Sequence, residues 1–150
     1  MKIKIILSVI IIILLIIGFF LVGNLSTQNT VKVGDANFLL PEGYKEEGIN
    51  KYGALTLTNG TNNIYILEHD TDNVNTYVSE YKQVVKNKNE TMTIENMTIN
   101  NTIFYKTNNT NNPEVTHYWF VKNGNTFEIY KYDKNSEFES SVIYLYNHMT

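Results

Sequence analysis

The sequence predicts an α+β fold: an antiparallel β-sheet with two packed amphipathic helices, preceded by one N-terminal transmembrane helix. Three observations predict it. Alternating apolar and polar residues around Asn-Gly and Asn-Asn pairs indicate several hairpins. Two other segments, near residues 74–85 and 138–149, repeat their apolar residues with helical spacing. Residues 5–22 form an apolar run that precedes all of these elements.

The N-terminal run has the properties of a membrane anchor. As a helix, residues 5–22 would be about 27 Å long, which is enough to cross the hydrocarbon core. Lys2 and Lys4 precede the run, and positive residues stay on the cytoplasmic side. We therefore expect residues 1–4 to be a cytoplasmic stub and residues 5–22 to cross the cell membrane once. A cleaved signal peptide is the alternative, but its apolar core would be unusually long.

The rest of the chain is expected to be a short polar linker, residues 23–32, and one extracytoplasmic domain, residues 33–150. The chain has no cysteine, so this domain is not built on disulfides and is not a lipoprotein. It is long enough to bury a core of its own. The chain also lacks arginine and has a formal net charge of −3, which argues against nucleic acid as a partner.

Asn-x-Ser/Thr triplets, the acceptor pattern for N-linked sugar, are frequent in the sequence. About twice as many occur as random placement would give, but asparagine is abundant throughout this chain. An extracytoplasmic domain would expose them to glycosylation. The candidate acceptors are Asn24, Asn59, Asn89, Asn96, Asn100 and Asn108.

In the first half of the domain, the stretch ANFLLPEGY (residues 36–44) predicts a strand ending at Pro41, followed by a turn. The stretch ALTLTNGTNNIYIL (54–67) predicts a hairpin around Asn59-Gly60. The apolar period then changes to that of a helix of about four turns. Asp72 or Asn73 is expected to cap its first turn. Its apolar stripe consists of Val74, Tyr77, Val78, Tyr81, Val84 and Val85.

In the second half, the alternation of apolar residues changes phase between Ile94 and Met97, which predicts a bulge or turn near residues 95–96. Asn100-Asn101 predicts a tight turn. Residues 108–113 are expected to form a loop. Ser136 and Glu139 have the spacing of a capping box. The helix that follows would bury Phe138, Val142, Leu145, Tyr146 and Met149.

Residues 114–133 give the clearest hairpin signal, with Asn123-Gly124 as a two-residue turn. This turn sets Phe120 opposite Phe127 and Tyr118 opposite Ile129 on a core face. It sets Trp119 opposite Glu128 and His117 opposite Tyr130 on the other face. That second face is either covered by a helix or exposed as an aromatic platform that binds a partner. The candidate binding residues are His117, Trp119, Tyr130 and Tyr132.

The order of elements resembles the PsbP-like fold. The resemblance covers residues 33–150 and lies in the sequence FLLPEGY, the first hairpin, the helix, further hairpins around TINNTIFY and FVKNGNTFEIY, and the closing helix. The chain is similar to short membrane-anchored PsbP-like proteins of archaea and bacteria. The resemblance implies an antiparallel sheet with packed helices and action by binding a partner. It implies no shared catalytic motif and transfers no site residues.

No catalytic, metal or cofactor site is predicted. Glu68, His69 and Asp70 are consecutive, so on a strand they do not face one ion, and His69 is expected at a solvated strand end. Neither His117 nor His148 has metal ligands at useful spacing, and no nucleophile motif is present.

The expected function is therefore a membrane-anchored extracytoplasmic binding domain. Its partners would be the membrane, through residues 5–22, and envelope polysaccharide or a membrane protein. The alternatives are an accessory subunit of a larger membrane complex and a pilin-like surface subunit.

Overall fold

A computed structural model describes residues 29–150, which form nine strands and two helices. The first group of elements is β1 (Thr30–Val33), β2 (Ala36–Leu39), β3 (Lys45–Ile49), β4 (Leu55–Thr58), β5 (Asn63–His69) and α1 (Val74–Asn87). The second is β6 (Met92–Ile99), β7 (Thr102–Asn109), β8 (Thr116–Lys122), β9 (Asn125–Lys131) and α2 (Phe138–Asn147). The α+β class predicted from the sequence is confirmed.

Seven strands form one antiparallel sheet in the order β3-β4-β5-β9-β8-β7-β6. Strands β1 and β2 pair separately as a small hairpin. Within residues 29–150, neither helix is long and apolar enough to cross a membrane. The predicted anchor, residues 5–22, and the cytoplasmic stub lie outside the described residues. Strand β1 begins at Thr30 and buries Val31, so residues 30–32, which were predicted as linker, belong to the folded domain.

The β8–β9 hairpin has the register that the sequence predicts. Phe120 pairs with Phe127 and Tyr118 with Ile129. The turn residues Asn123 and Gly124 have φ angles of 55° and 85°, the left-handed geometry that Asn-Gly favours. The Asn100-Asn101 turn between β6 and β7 is likewise confirmed, with φ angles of 46° and 65°.

The bulge predicted near residues 95–96 is wrong. Strand β6 pairs with β7 one residue to one, from Met92 opposite Asn109 to Ile99 opposite Thr102. The phase of the apolar residues changes because the strand contributes to both faces of the sheet. Met92 packs with the cluster under α1, whereas Met97 packs with the main core on the opposite face.

The main core lies between the sheet, α2 and the β1–β2 hairpin. Phe38 of β2 is fully buried and bridges to Met149 just after α2. Helix α2 contributes Val142 and Leu145, both fully buried. One face of the sheet is therefore closed by α2 and the hairpin, and the opposite face is left to α1.

The predicted capping residues have different outcomes. Asn73 caps α1, and its side chain accepts a hydrogen bond from the backbone of Thr76. The Ser136–Glu139 capping box is wrong, because α2 starts after Glu137 with no side-chain cap. Glu139 instead accepts hydrogen bonds from Lys106 Nζ at 2.6 Å and Tyr118 Oη at 2.5 Å. Two charge-assisted bonds to the sheet replace one local bond.

Candidate functional site

The strands present two rows of side chains to α1, on the face of the sheet opposite the main core. We call this the α1 face. One row runs across neighbouring strands in the order Thr107, His117, Tyr130, Tyr65. The adjacent row is Tyr105, Trp119, Glu128, Leu67. Side chains in one row are direct cross-strand neighbours, so this register brings aromatic rings, an imidazole and a carboxylate into contact.

Helix α1 covers only part of this face. Val74 and Val78 pack on Trp119, which is 3% exposed. Trp119 Nε1 donates a hydrogen bond to Thr107 Oγ1 at 3.2 Å, so the buried indole N–H is satisfied. The helix thus anchors over β8 and leaves the β9 and β5 part of the face less covered.

Two tyrosines of α1 extend from the helix onto the histidines of the sheet. The ring centroid of Tyr81 lies 4.2 Å from that of His117, and the ring of Tyr77 stacks 4.1 Å from that of His69. Their spacing of four residues places both on the same side of the helix. These two rings form the helix side of the site.

A cavity of about 560 Å³ opens between α1 and the sheet. This volume is within the range of small-ligand sites, roughly 300–1,000 Å³. We call it the aromatic pocket because six aromatic rings line it, those of Tyr52, Tyr77, Tyr81, Trp119, Tyr130 and Tyr132. Its polar lining includes His69, His117 and Glu128 on the sheet, and Glu80 and Lys88 on the helix side.

Glu128 is the buried charge of the pocket, with 6% of its surface exposed. His117 Nδ1 lies 2.5 Å from Glu128 Oε1, and His69 Nε2 lies 3.3 Å from Oε2. Burial by itself raises the pKa of Glu128, but the hydrogen bonds from His117 and His69 outweigh it and hold the pKa below its usual value. Glu128 is therefore ionised at neutral pH.

An ionised carboxylate only accepts hydrogen bonds, so both histidine nitrogens that face Glu128 must donate. Whenever the ring of His117 is neutral, its Nε2 then carries a lone pair. This atom is buried and has no hydrogen-bond partner among the described residues. A buried polar atom without a partner is unusual in folded proteins.

The phenols of Tyr81, Tyr130 and Tyr132 stay protonated at neutral pH. Burial, with the nearby charge of Glu128, raises the pKa of Tyr81 to about 12. Burial is also the main cause of a raised pKa at Tyr130 and Tyr132. These three side chains are therefore neutral, and Glu128 is the buried carboxylate of the sheet wall.

The four candidate binding residues from the sequence are brought together on the α1 face. His117, Trp119 and Tyr130 are each 3% exposed, whereas Tyr132 is 50% exposed. Three of them are therefore buried rather than exposed on a flat platform, and α1 contacts two of these, Trp119 and His117. All four nevertheless line the aromatic pocket.

The sequence did not indicate a role for His69, which was expected to be solvated. It is the last residue of β5 but is not solvated there. It is half-buried, stacked on Tyr77 and hydrogen-bonded to Glu128. One signal was present in the sequence. The hairpin register puts Glu128 on the aromatic face, and a carboxylate among buried rings needs a hydrogen-bonding partner.

Nucleophilic catalysis requires a hydroxyl or thiol within hydrogen-bond reach of a base. His117 Nε2 has no such neighbour in the part of the chain that the structure describes. Within residues 29–150, no group of three or more His, Asp or Glu side chains is arranged to hold a metal ion.

The candidate acceptors of sugar occupy different positions. Asn100 is in an exposed turn, and Asn96 is exposed on the edge strand β6 rather than at a bend. Asn108 lies in β7, half-buried, and its Oδ1 accepts a hydrogen bond from Thr116, so its predicted loop position is wrong. Asn59 and Asn89 are exposed. Asn24 lies outside the described residues.

Comparison of the sequence with protein-family models and with curated proteins gives no match. Comparison of the fold with solved structures gives a clear result. The solution structure of cyanobacterial PsbP (CyanoP) from Synechocystis sp. PCC 6803 matches with a TM-score of 0.52. The match covers 85% of this chain and 95% of that chain.

The chain has a PsbP-like fold. Sequence identity to CyanoP is 7%, so the likeness extends to the fold alone. The resemblance predicted from the order of strands and helices is confirmed at this level. A PsbP-like sheet with one face closed by α2 leaves the opposite face to α1 and the aromatic pocket.

Proposed function

We propose that the chain is a membrane-anchored extracytoplasmic binding domain that engages envelope polysaccharide or a membrane protein. The observation that carries the proposal is the aromatic pocket. It combines a ligand-sized cavity, six aromatic rings and a few convergent polar groups, the usual composition of a binding site.

Support for the anchor comes from the sequence. Residues 5–22 are apolar, and Lys2 and Lys4 precede them, which favours a single crossing with the PsbP-like domain outside. In intact cells, an external protease should remove the domain and leave a membrane-held stub. A domain that resists the protease until the cells are lysed would contradict this orientation.

The mouth of the pocket supports a binding role for the PsbP-like domain. Tyr52 is 67% exposed and Tyr132 is 50% exposed, and both line the cavity. Exposed aromatic side chains beside a cavity are typical anchors for sugars and protein side chains. Because these rings are largely solvent-exposed, their removal is expected to leave the fold intact.

Affinity capture from the protein's own membranes tests the proposal. The full chain in neutral detergent should retain envelope polysaccharide or a membrane protein, and the double variant Tyr52→Ala/Tyr132→Ala should lose it. The matched control is Tyr144→Ala on α2, whose ring stacks on His148, outside the pocket. Equal capture by wild type and double variant would overturn the proposal. Capture of a membrane complex would favour an accessory subunit, and capture of polymer would favour a polysaccharide-binding domain.

A further inference from the structure

We propose that the aromatic pocket binds an organic ammonium group, such as the amine of a lysine side chain or of an amino sugar. The proposal rests on the proposed binding function of the same pocket and specifies its ligand chemistry. Three independent features carry it: the charge of the lining, the aromatic walls and the free nitrogen of His117.

The charge of the lining favours a cation. Three carboxylates, those of Glu80, Glu90 and Glu128, line the pocket against one lysine, Lys88. Glu128 is the buried one, and its negative charge acts in surroundings of lower dielectric than water. Anionic polymers and phosphate groups would meet like charge there.

The walls favour the same ligand. The face of an aromatic ring is electron-rich and attracts a cation within about 6 Å of the ring centre. Tyr132 and Tyr52 at the mouth, with Tyr81 further in, offer such rings around one cavity. Aromatic rings combined with a carboxylate form the arrangement that recognises ammonium groups by electrostatics rather than by shape alone.

The unpartnered nitrogen of His117 matches a cation that carries N–H bonds. Because Nδ1 donates to Glu128, Nε2 can only accept whenever the ring is neutral. The oxygen of an incoming carbonyl or carboxylate also only accepts hydrogen bonds, so it could not bond to this nitrogen. A primary ammonium group donates three hydrogen bonds and matches this atom, once the ring of Tyr81 that packs on His117 turns aside.

The fluorescence of Trp119 provides the readout, since it is the only tryptophan in the chain and lines the pocket. The full-length protein in neutral detergent would be titrated with butylammonium chloride and, as the anionic counterpart, sodium butyrate. Glucosamine and N-acetylglucosamine form a second pair with the same sugar ring, in which only glucosamine carries a charged amine. Nα-acetyl-lysine methylamide, whose side-chain amine is free and charged, represents a lysine of a protein partner.

Only the charged amines are expected to give a saturable change. Tighter binding of the lysine derivative indicates a protein partner, and tighter binding of glucosamine indicates an amino-sugar polymer. Equal responses to butylammonium and butyrate, or to the two sugars, would overturn the ammonium proposal. If envelope material is captured but no amine binds, the ligand class is wrong and the proposed function stands.

Variants of the carboxylates test the charge argument. Glu80→Gln, at an exposed helix position, should weaken amine binding about two- to fivefold, as for an exposed charge pair. Glu128→Gln should weaken it tenfold or more. Glu42→Gln, in an exposed turn outside the pocket, is the control and should bind like wild type. Because Glu128→Gln risks misfolding, Glu80→Gln decides the question on its own: unchanged affinity there refutes the proposal.

Discussion

Replacing Trp119 by alanine measures how firmly α1 is packed on the sheet. The indole is 3% exposed, contacts Val74 and Val78 of the helix, and donates a hydrogen bond to Thr107. Truncating a buried tryptophan costs about 3–5 kcal/mol, because transfer free energy is lost and a cavity remains. The orphaned acceptor of Thr107 adds to this loss. We therefore expect the free energy of unfolding to fall by about 3–5 kcal/mol.

Urea unfolding followed by far-UV circular dichroism measures this change. Fluorescence is unsuitable, because Trp119→Ala removes the only tryptophan. The melting temperature should fall by roughly 10–20 °C, given the entropy of unfolding of a domain of this size. Trp119→Phe keeps most of the packing and should lose less. Tyr132→Ala, at a side chain that is 50% exposed, should change stability by under about 1 kcal/mol.

A loss below about 1 kcal/mol for Trp119→Ala would refute the reasoning, because the ring would then not be core. The aromatic platform considered from the sequence would be the correct interpretation in that case. Equal losses for Trp119→Ala and Tyr132→Ala would also contradict it, since the two side chains differ greatly in burial. Binding assays on the same variants separate loss of fold from loss of site.

Three further predictions follow from particular residues. Removal of residues 1–28 should leave a domain that unfolds in one cooperative transition by circular dichroism, because every described strand and helix lies beyond them; a gradual transition would contradict this. In a glycosylating host, glycopeptide mass spectrometry should find Asn100, in an exposed turn, modified more than half-buried Asn108. The lowered pKa of Glu128 stabilises the fold above the ordinary carboxyl value of 4.5, and this stabilisation is lost as the pH falls below it. Glu128→Gln should flatten that part of the stability–pH curve, and an unchanged curve would show that another group causes the acid loss.

Local chemistry explains what the sequence predicted well. A two-residue Asn-Gly turn determines which residues oppose each other, so the register of β8 and β9 followed from Asn123 and Gly124. The sequence limited the cap of α1 to Asp72 or Asn73, because such side chains bond to the backbone of their own first turn, and Asn73 is the cap. Both features depend on residues within one hairpin or one helical turn.

The predictions that were wrong concern places where two segments far apart in the sequence meet. The change of apolar phase in β6 indicated a bulge only on the assumption of one buried face, whereas Met92 and Met97 are packed on opposite faces. Glu139 fits a local capping box, but Lys106 and Tyr118 approach it across the fold and offer stronger bonds. A sequence pattern contains no information about which distant donor will compete.

The aromatic pocket depends on the same kind of long-range pairing. His69 meets Glu128 only because β5 pairs with β9, across a sequence separation of 59 residues. Tyr77 and Tyr81 reach the two histidines because α1 packs over β7 and β8, with these two rings directed towards His69 and His117. The aromatic face could therefore be predicted from the β8–β9 hairpin alone. The contact of Glu128 with His69 could be predicted only with knowledge of the strand order in the sheet. The carboxylate variants are the sharpest test of what this pocket binds, because they remove the charge that is proposed to select the ligand and leave the aromatic walls in place.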